Sequence, residues 1–277
     1  MKSENHKERS VSEREVYTHG HHESVLRSHL WRTVENSAAY LINSLRPGLD
    51  LLDVGCGPGT ITVDLARRVM PGHVIGIDLS EDVISLAASH ASDKTVNVKF
   101  EIGDVYALTY TNASFDVVHA HQVLQHLNDP VAALREMRRV LRPRGVVAVR
   151  DGDYSCFGWA PLDSRLDRWL ELYRAVARKN GGEPDAGRFL KGWAIAAGFT
   201  DVVTTTSTWT FSDSESCRWW GDLWADRCEK SAFGEKAVEY GFAKKAEMVE
   251  IASAWREWAA KPEAYFSVPN TEVLARE

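Results

Sequence analysis

Apolar residues in this chain fall in short blocks separated by polar turns, and the spacing within each block predicts an element. From about Asn36, NSAAYLINSL has helical spacing and is stopped by Pro47-Gly48. LDLLDVG is a short apolar run ending in glycine, which predicts a buried strand. Thr60 to about Val69 reads as a helix ended by Pro71-Gly72, and HVIGID as a second strand. Ser80 predicts an N-cap for SEDVISLAASH, because its side-chain oxygen can accept a bond from a free first-turn amide. VKFEI and FDVVHA follow as third and fourth strands. Asp129-Pro130 opens the helix VAALREMRRVL, the turn from Arg142 to Gly145 closes it, and VVAVRD is a fifth strand.

Strand and helix thus alternate five times over roughly a hundred residues. Parallel neighbours need crossover connections, so this rhythm predicts a parallel sheet with helices on both faces. After Asp151 the rhythm breaks. Residues 152–184 read as a loop and a helix around Ser164–Lys179, GRFLKGWAIAAG as another helix, and DVVTTTSTWTF as a strand. Residues 213–261 read as helical throughout, and AYFSVPNTEVLAR as a final extended segment. The last two strands are expected to pair, with the helices inserted between them.

Charge narrows the function. The chain has 33 Lys and Arg against 39 Asp and Glu, a formal net charge of −6 over 277 residues. A nucleic-acid binder carries a basic field that displaces counterions from phosphates. None is present, so neither nucleic acid nor an anionic membrane is an expected partner. Residues 1–15 lack the apolar run of a signal peptide, and no stretch approaches eighteen uninterrupted apolar residues, so a cytoplasmic location is expected. Cys56, Cys156, Cys217 and Cys228 form no CxxC pair and are expected to be free thiols. His19-Gly20-His21-His22 lacks further ligands at a useful spacing, so it reads as lid or polar loop and no metal is expected.

The chemistry begins where the first strand ends, in Asp53-Val54-Gly55-Cys56-Gly57-Pro58-Gly59-Thr60. Three glycines at alternate positions allow a sharp turn and leave no Cβ where a ligand lies against the backbone. The third follows the second by two residues, which departs from the dinucleotide fingerprint and suits a ligand without phosphates. Asp78 ends the second strand, 25 residues after Asp53, where a carboxylate can accept bonds from both hydroxyls of a ribose. Gly103-Asp104-Val105 brings another acid to the same edge after the third strand. Open parallel sheets bind ligands beyond those strand ends. Cys56, inside the turn, reads as a small packed residue.

LLDVGCGPGTITVDLA, followed by GIDLS, EIGDV and DVVHAHQVLQHL, resembles the class I methyltransferases of the UbiE-like (ubiquinone/menaquinone biosynthesis) family, over about residues 36–150. The resemblance implies an α/β, Rossmann-like fold with a mostly parallel seven-stranded sheet, and S-adenosyl-L-methionine as cofactor, with S-adenosyl-L-homocysteine as product. It implies that Gly55 and Gly57 lie under the methionine part, that Asp78 binds the ribose and Leu79 packs on the adenine. Asp104 would contact the adenine amino group, Val105 would offer a backbone amide, and His121 and Gln122 would border the methionine end. Beyond that domain, YTHGHHESVLRSHLWRTVENSAAYL and YFSVPNTEVLAR resemble a narrower fungal and bacterial group similar to the gliotoxin-type bis-thiol S-methyltransferases. There the N-terminal segment folds over the cofactor, which makes Tyr17, His29 and Arg32 expected lid contacts. The expected organisation is a tail and lid in residues 1–35, a cofactor core in 36–151, and the remaining strands with a helical substrate cap in 152–277, continuous with the core.

On the acceptor side the residues leave alternatives open. Seven of ten tryptophans lie between Trp193 and Trp258. Met248, Ile251, Trp255 and Trp258 form a stripe at helical spacing, which core packing explains. An aromatic cap also suits a hydrophobic, ring-containing small molecule, and Trp220 is a candidate contact. Asp151 and Asp153, after the fifth strand, can orient a polar substrate group or cap a loop. His121, at the carboxyl end of the fourth strand, is the candidate base, whereas His119 reads as a hydrogen-bonded sheet residue. A thiol acceptor needs little base assistance and a phenol more. The resemblance favours S-methylation of a secondary-metabolite thiol. O- or C-methylation of a phenol or quinone and a non-catalytic cofactor-binding module are the alternatives; the long Trp-rich insertion departs from the quinone enzymes.

Overall fold

The computed structural model describes residue 18 and residues 22–91 and 96–277. Tyr17, His19 and His21 lie outside the described residues. Five strands are parallel: β1 (Leu51–Val54), β2 (Val74–Asp78), β3 (Val98–Ile102), β4 (Phe115–His121) and β5 (Leu141–Gly152), in the spatial order β3-β2-β1-β4-β5. Two further short and long strands, β6 (Gly158–Ala160) and β7 (Asp201–Phe211), pair antiparallel with β8 (Tyr265–Arg276), which itself runs antiparallel beside β5. β7 and β8 stay in register from Asp201↔Arg276 to Phe211↔Phe266. This is the Rossmann-like sheet that the alternation of elements predicts.

Three details differ from the pattern. β6 is an eighth strand, laid along the β5 side of β8 after a 3₁₀ turn at Tyr154–Cys156; three residues are too short to carry a period. The segment from Asn36 is not one helix but a four-residue turn, Val34–Ser37, and a 3₁₀ stretch, Ala39–Ser44. Thr33 and Asn36 form a capping box there, but Ala38 leaves helical geometry at φ −136° and the chain bends to bury Leu41. Residues 213–261 form three helices rather than one run, broken at Ser231 and near Gly241.

The helices, in chain order, are α1 (Glu23–Leu30), α2 (Val34–Ser37), α3 (Thr60–Val69), α4 (Glu81–His90), α5 (Pro130–Val140), α6 (Ser164–Lys179), α7 (Leu190–Ala196), α8 (Ser214–Lys230), α9 (Ala232–Glu239) and α10 (Lys245–Ala259). α6, α8, α9 and α10 bury an apolar core against β8, built on Trp169, Tyr173, Trp224, Trp255, Trp258 and Phe266. Trp169 meets Trp224 and Trp255 edge to face, with ring centres 4.5 and 4.8 Å apart, the arrangement that aromatic quadrupoles favour. The stripe Met248, Ile251, Trp255 and Trp258 is core, as its spacing predicts. α1 docks on α8 through Arg27–Asp226 at 2.6 Å and Arg227–Ser28 Oγ at 2.6 Å.

Asp151 is wholly buried in β5, paired in register with Thr271. One carboxyl oxygen accepts the Gln125 N–H at 3.1 Å and the other has no partner. Burial, the dominant cause, pushes the carboxyl up to about 8, against the bonds from Gln125 and the charge of Arg150. The fold therefore holds a proton that the unfolded chain releases near about pH 4. The stability this lends is full below about pH 4 and is lost as the pH rises through about 8. Asp151→Asn keeps the accepting oxygen and cannot ionise. Its melting temperature, relative to the parent, is expected to be higher at about pH 8 than at about pH 5; an equal offset at both values in thermal denaturation would mean that Asp151 is ionised in the folded protein.

Candidate active site

The carboxyl ends of β1 to β4 open into one cavity of about 260 Å³, roofed by α1 on one side and by β7 and α8 on the other. Its floor is the turn after β1. Gly55 and Gly57 have φ of +64° and +55°, the left-handed region that glycine enters without strain. A Cβ on Gly55 would lie 2.5 Å from Val123 Cγ2, and one on Gly57 would point toward the lid, 3.7 Å from His29 Nδ1. The turn is anchored from below. Asp53, buried in β1, accepts a bond from Thr62 Oγ1 at 2.6 Å and lies 2.7 Å from His119 Nδ1. His119 is therefore the hydrogen-bonded sheet residue its position suggests.

Asp78 ends β2 at the rim of the same cavity. Its carboxylate accepts from Gly57 N–H at 3.2 Å and from Ser80 N–H at 3.1 Å, which ties the second strand end to the glycine turn. Leu79, Asp104 and Val105 line the cavity beside it, Leu79 with an exposed apolar side chain and Asp104 accepting from Tyr106 N–H at 2.9 Å. Across the floor, Gln122 sits at φ +53° just past β4. It accepts from Arg32 Nη2 at 2.6 Å and donates to Asn270 at 3.2 Å. His29 and Arg32, from the lid, complete this end. All nine described residues expected to hold a cofactor thus face one cavity. A turn whose alternate glycines lack Cβ atoms, flanked by two rim carboxylates, fits a nucleoside with a cationic tail.

The other end is aromatic. Tyr154, Phe157, Trp209, Trp219, Trp220 and Trp224 line it. Trp31 of the lid meets Trp209 at 5.3 Å and Trp219 at 5.5 Å between ring centres, so lid and cap close on each other. Trp220, the tryptophan singled out from the sequence, stacks on Phe211 at 4.4 Å and borders this end. Trp219 and Trp224 share a helix with Trp220, whereas Trp209, on β7, and Tyr154 and Phe157, more than fifty residues earlier in the chain, were not identifiable from sequence because no local pattern links them to it.

His121 and His126 both line the cavity, His121 buried and His126 half-buried. Burial pulls the His121 imidazole well below its usual range, helped by the charges of Arg32 and Arg150; neither ring nitrogen has a hydrogen-bond partner. His126 is drawn down to about 3 by burial and by Arg32. Both are neutral at physiological pH. Cys56 is buried, and desolvation with the charges of Asp53 and Asp78 raises its thiol far above the nucleophilic range, so it is a packed residue.

Asp151, the last acid within β5, corrects the sequence reading. Asp151, expected to contact substrate, does not line the cavity: strand pairing with β8 carries on to Gly152 and turns the carboxyl into the protein. Asp153 faces Arg188, 2.6 Å away, and is held below the usual carboxylate range by that guanidinium despite partial burial.

Residues 45–191 match a family model described as a methyltransferase domain. The chain is 32% identical over 267 residues to an uncharacterized methyltransferase of Schizosaccharomyces pombe, covering 93% of this chain and 95% of that one. It is 35% identical over 123 residues to the ubiquinone/menaquinone biosynthesis C-methyltransferase UbiE of Bdellovibrio bacteriovorus, covering 44% and 50% of the two chains. The crystal structure of the YcgJ protein of Bacillus subtilis superposes with a TM-score of 0.55 at 19% identity, covering 91% of this chain and 99% of that one. With the strand order and the glycine turn in place, the chain belongs to the methyltransferase domain family and is an S-adenosyl-L-methionine-dependent methyltransferase of the class I fold.

Proposed function

We propose that the protein methylates the thiol of a hydrophobic, ring-containing small molecule, a secondary metabolite related to gliotoxin-like dithiols. One observation carries this reading. One end of the cavity is walled by six aromatic side chains, and the two histidines that line the same cavity, His121 and His126, are both held as weakly basic neutral imidazoles. The resemblance of the N- and C-terminal segments to bis-thiol S-methyltransferases supports the same acceptor.

Gly55, Gly57, Asp78, Leu79, Asp104 and Val105 would hold the cofactor, with His29, Arg32 and Gln122 closing over its methionine end. Bound there, the sulfonium supplies an already activated methyl group. Asp78 accepts hydrogen bonds from the ribose, and Arg32 offers its guanidinium to the methionine carboxylate. The aromatic wall excludes water and fixes the acceptor ring, so that most of the barrier is met by alignment. A thiol ionises near about 8.5 and is a few per cent thiolate at neutral pH. It enters already ionised, leaving its proton in bulk water, and needs no base in the wall. A phenol, ionising near about 10, places the heavier demand on His121.

Asp78→Ala is expected to raise the dissociation constant for S-adenosyl-L-methionine at least about 100-fold, the loss of two charge-assisted bonds. Parent-like affinity by calorimetry would remove the ribose assignment. With benzyl mercaptan as acceptor, kcat/KM should climb with pH along the ionisation of the thiol, with no limb near 6.5, because the lowered His121 pKa is already passed. His121→Ala should change that rate by no more than about threefold and slow 4-methylphenol by about 100-fold or more. An acid limb that disappears in His121→Ala would assign the base to His121 for thiols and overturn the proposal.

A further inference from the structure

Arg150 stands next to His121, the two paired in register across β5 and β4. Its side chain is wholly buried, yet it does not line the cavity. It runs along the sheet toward β7 and β8. Nε and Nη2 donate to Ser207 Oγ at 3.2 and 3.0 Å, Nε lies 3.4 Å from Glu272 Oε1, and Nη1 is buried without a hydrogen-bond partner. Such burial is expensive. A single carboxylate and a hydroxyl do not replace the lost hydration of a guanidinium, and an apolar residue of similar volume often serves stability equally well. Stability is therefore a poor account of this residue.

What the guanidinium does touch is Trp209. Its Cζ lies 4.7 Å from the centre of the indole, a cation against an aromatic face. The indole is held on other sides too. Its Nε1 donates to the Asn36 carbonyl at 2.6 Å, and Trp31 meets it edge to face. Its other neighbours are Arg32, whose Cζ lies 5.7 Å from the ring centre, and His121, with ring centres 5.8 Å apart. Trp209 thus lines the cavity between the end bordered by His121 and Arg32 and the end lined by Trp219 and Trp220.

We infer that Arg150 is a positioning residue for the acceptor: it clamps Trp209 against His121 and so fixes the wall between the two ends of the cavity without touching either ligand. Burial first, and then Arg32, this buried cation, His119 and His29, disfavour a charge on His121, which keeps that wall uncharged. The kinetic consequence rests on the aromatic end being the acceptor site; the clamp itself rests on protein contacts alone.

The test uses the full chain and three variants: Arg150→Met, which keeps the volume and removes the cation, Arg150→Lys, and Trp209→Phe. In Arg150→Met the indole N–H resonance of Trp209, assigned by its loss in Trp209→Phe, should shift or broaden, with Arg150→Lys closer to the parent. The KM for benzyl mercaptan should rise about tenfold while calorimetric affinity for S-adenosyl-L-methionine stays within about twofold, and the double variant should cost no more than Trp209→Phe alone. An unmoved indole resonance, additive losses, or cofactor affinity falling in step with KM would each overturn the inference. If Arg150→Met does not fold, Ser207→Ala carries the same readouts by removing the oxygen that both guanidinium nitrogens share. If the parent turns over no thiol, the proposed acceptor class falls, and the Trp209 resonance still decides the clamp.

Discussion

The site depends on a tie formed beneath it. Asp53, in the central strand, is bonded to Thr62 of α3 and to His119 of β4, so the strand, the helix that follows it and the neighbouring strand are fixed relative to one another. Between Asp53 and Thr62 lies the glycine turn. With both ends of that turn anchored, its left-handed glycines hold a defined curve, and Asp78 can bond the Gly57 amide from the next strand. A buried carboxylate in a sheet is expensive unless its oxygens are occupied. Here both are, and the return is a rigid floor for a nucleoside.

Above that floor the protein uses a second material. The cap is an aromatic core whose outer rings become cavity wall. Trp169, Trp255 and Trp258 are wholly enclosed, while Trp219, Trp220 and Trp224, on one helix, border the cavity. Large flat rings lose few rotamers when fixed, so a wall built from them is stiff at small entropic cost. The segment of Trp31 joins the wall through that ring and through the bonds of Arg27 and Arg227, so the two sides of the cavity are packed as one unit. Dry surroundings then decide the charge state of the histidines. Burial beside two guanidiniums leaves His121 neutral, and an acceptor that ionises unaided suits such a site.

The elements between Thr60 and Gly152 were readable because each carries its own period or stop signal within a dozen residues. That Gly55, Gly57, Asp78 and Asp104 share one cavity was readable for a related reason: they sit at strand ends, and the ends of neighbouring parallel strands lie along one edge of the sheet. The misreadings arose where local pattern was silent. β6 is three residues long. Asp151 follows an apolar run and ought to emerge at the crevice, yet antiparallel pairing with a strand more than a hundred residues later keeps it inside. The capping box at Thr33 starts a helix that Ala38 abandons, because burying Leu41 outweighs propensity there.

By itself, then, the sequence determined the parallel core, its strand ends and the chemistry of the cofactor turn, since these follow from short-range periodicity and from glycines and acids at fixed offsets. Tertiary structure alone decided which aromatic rings face the cavity and which fill the cap. It also decided that Asp151 turns inward, and that Arg150, unremarkable in the chain, braces Trp209 from within the sheet. Those outcomes depend on contacts between segments fifty to more than a hundred residues apart, where orientation is set by what packs against each side chain and not by its neighbours in sequence.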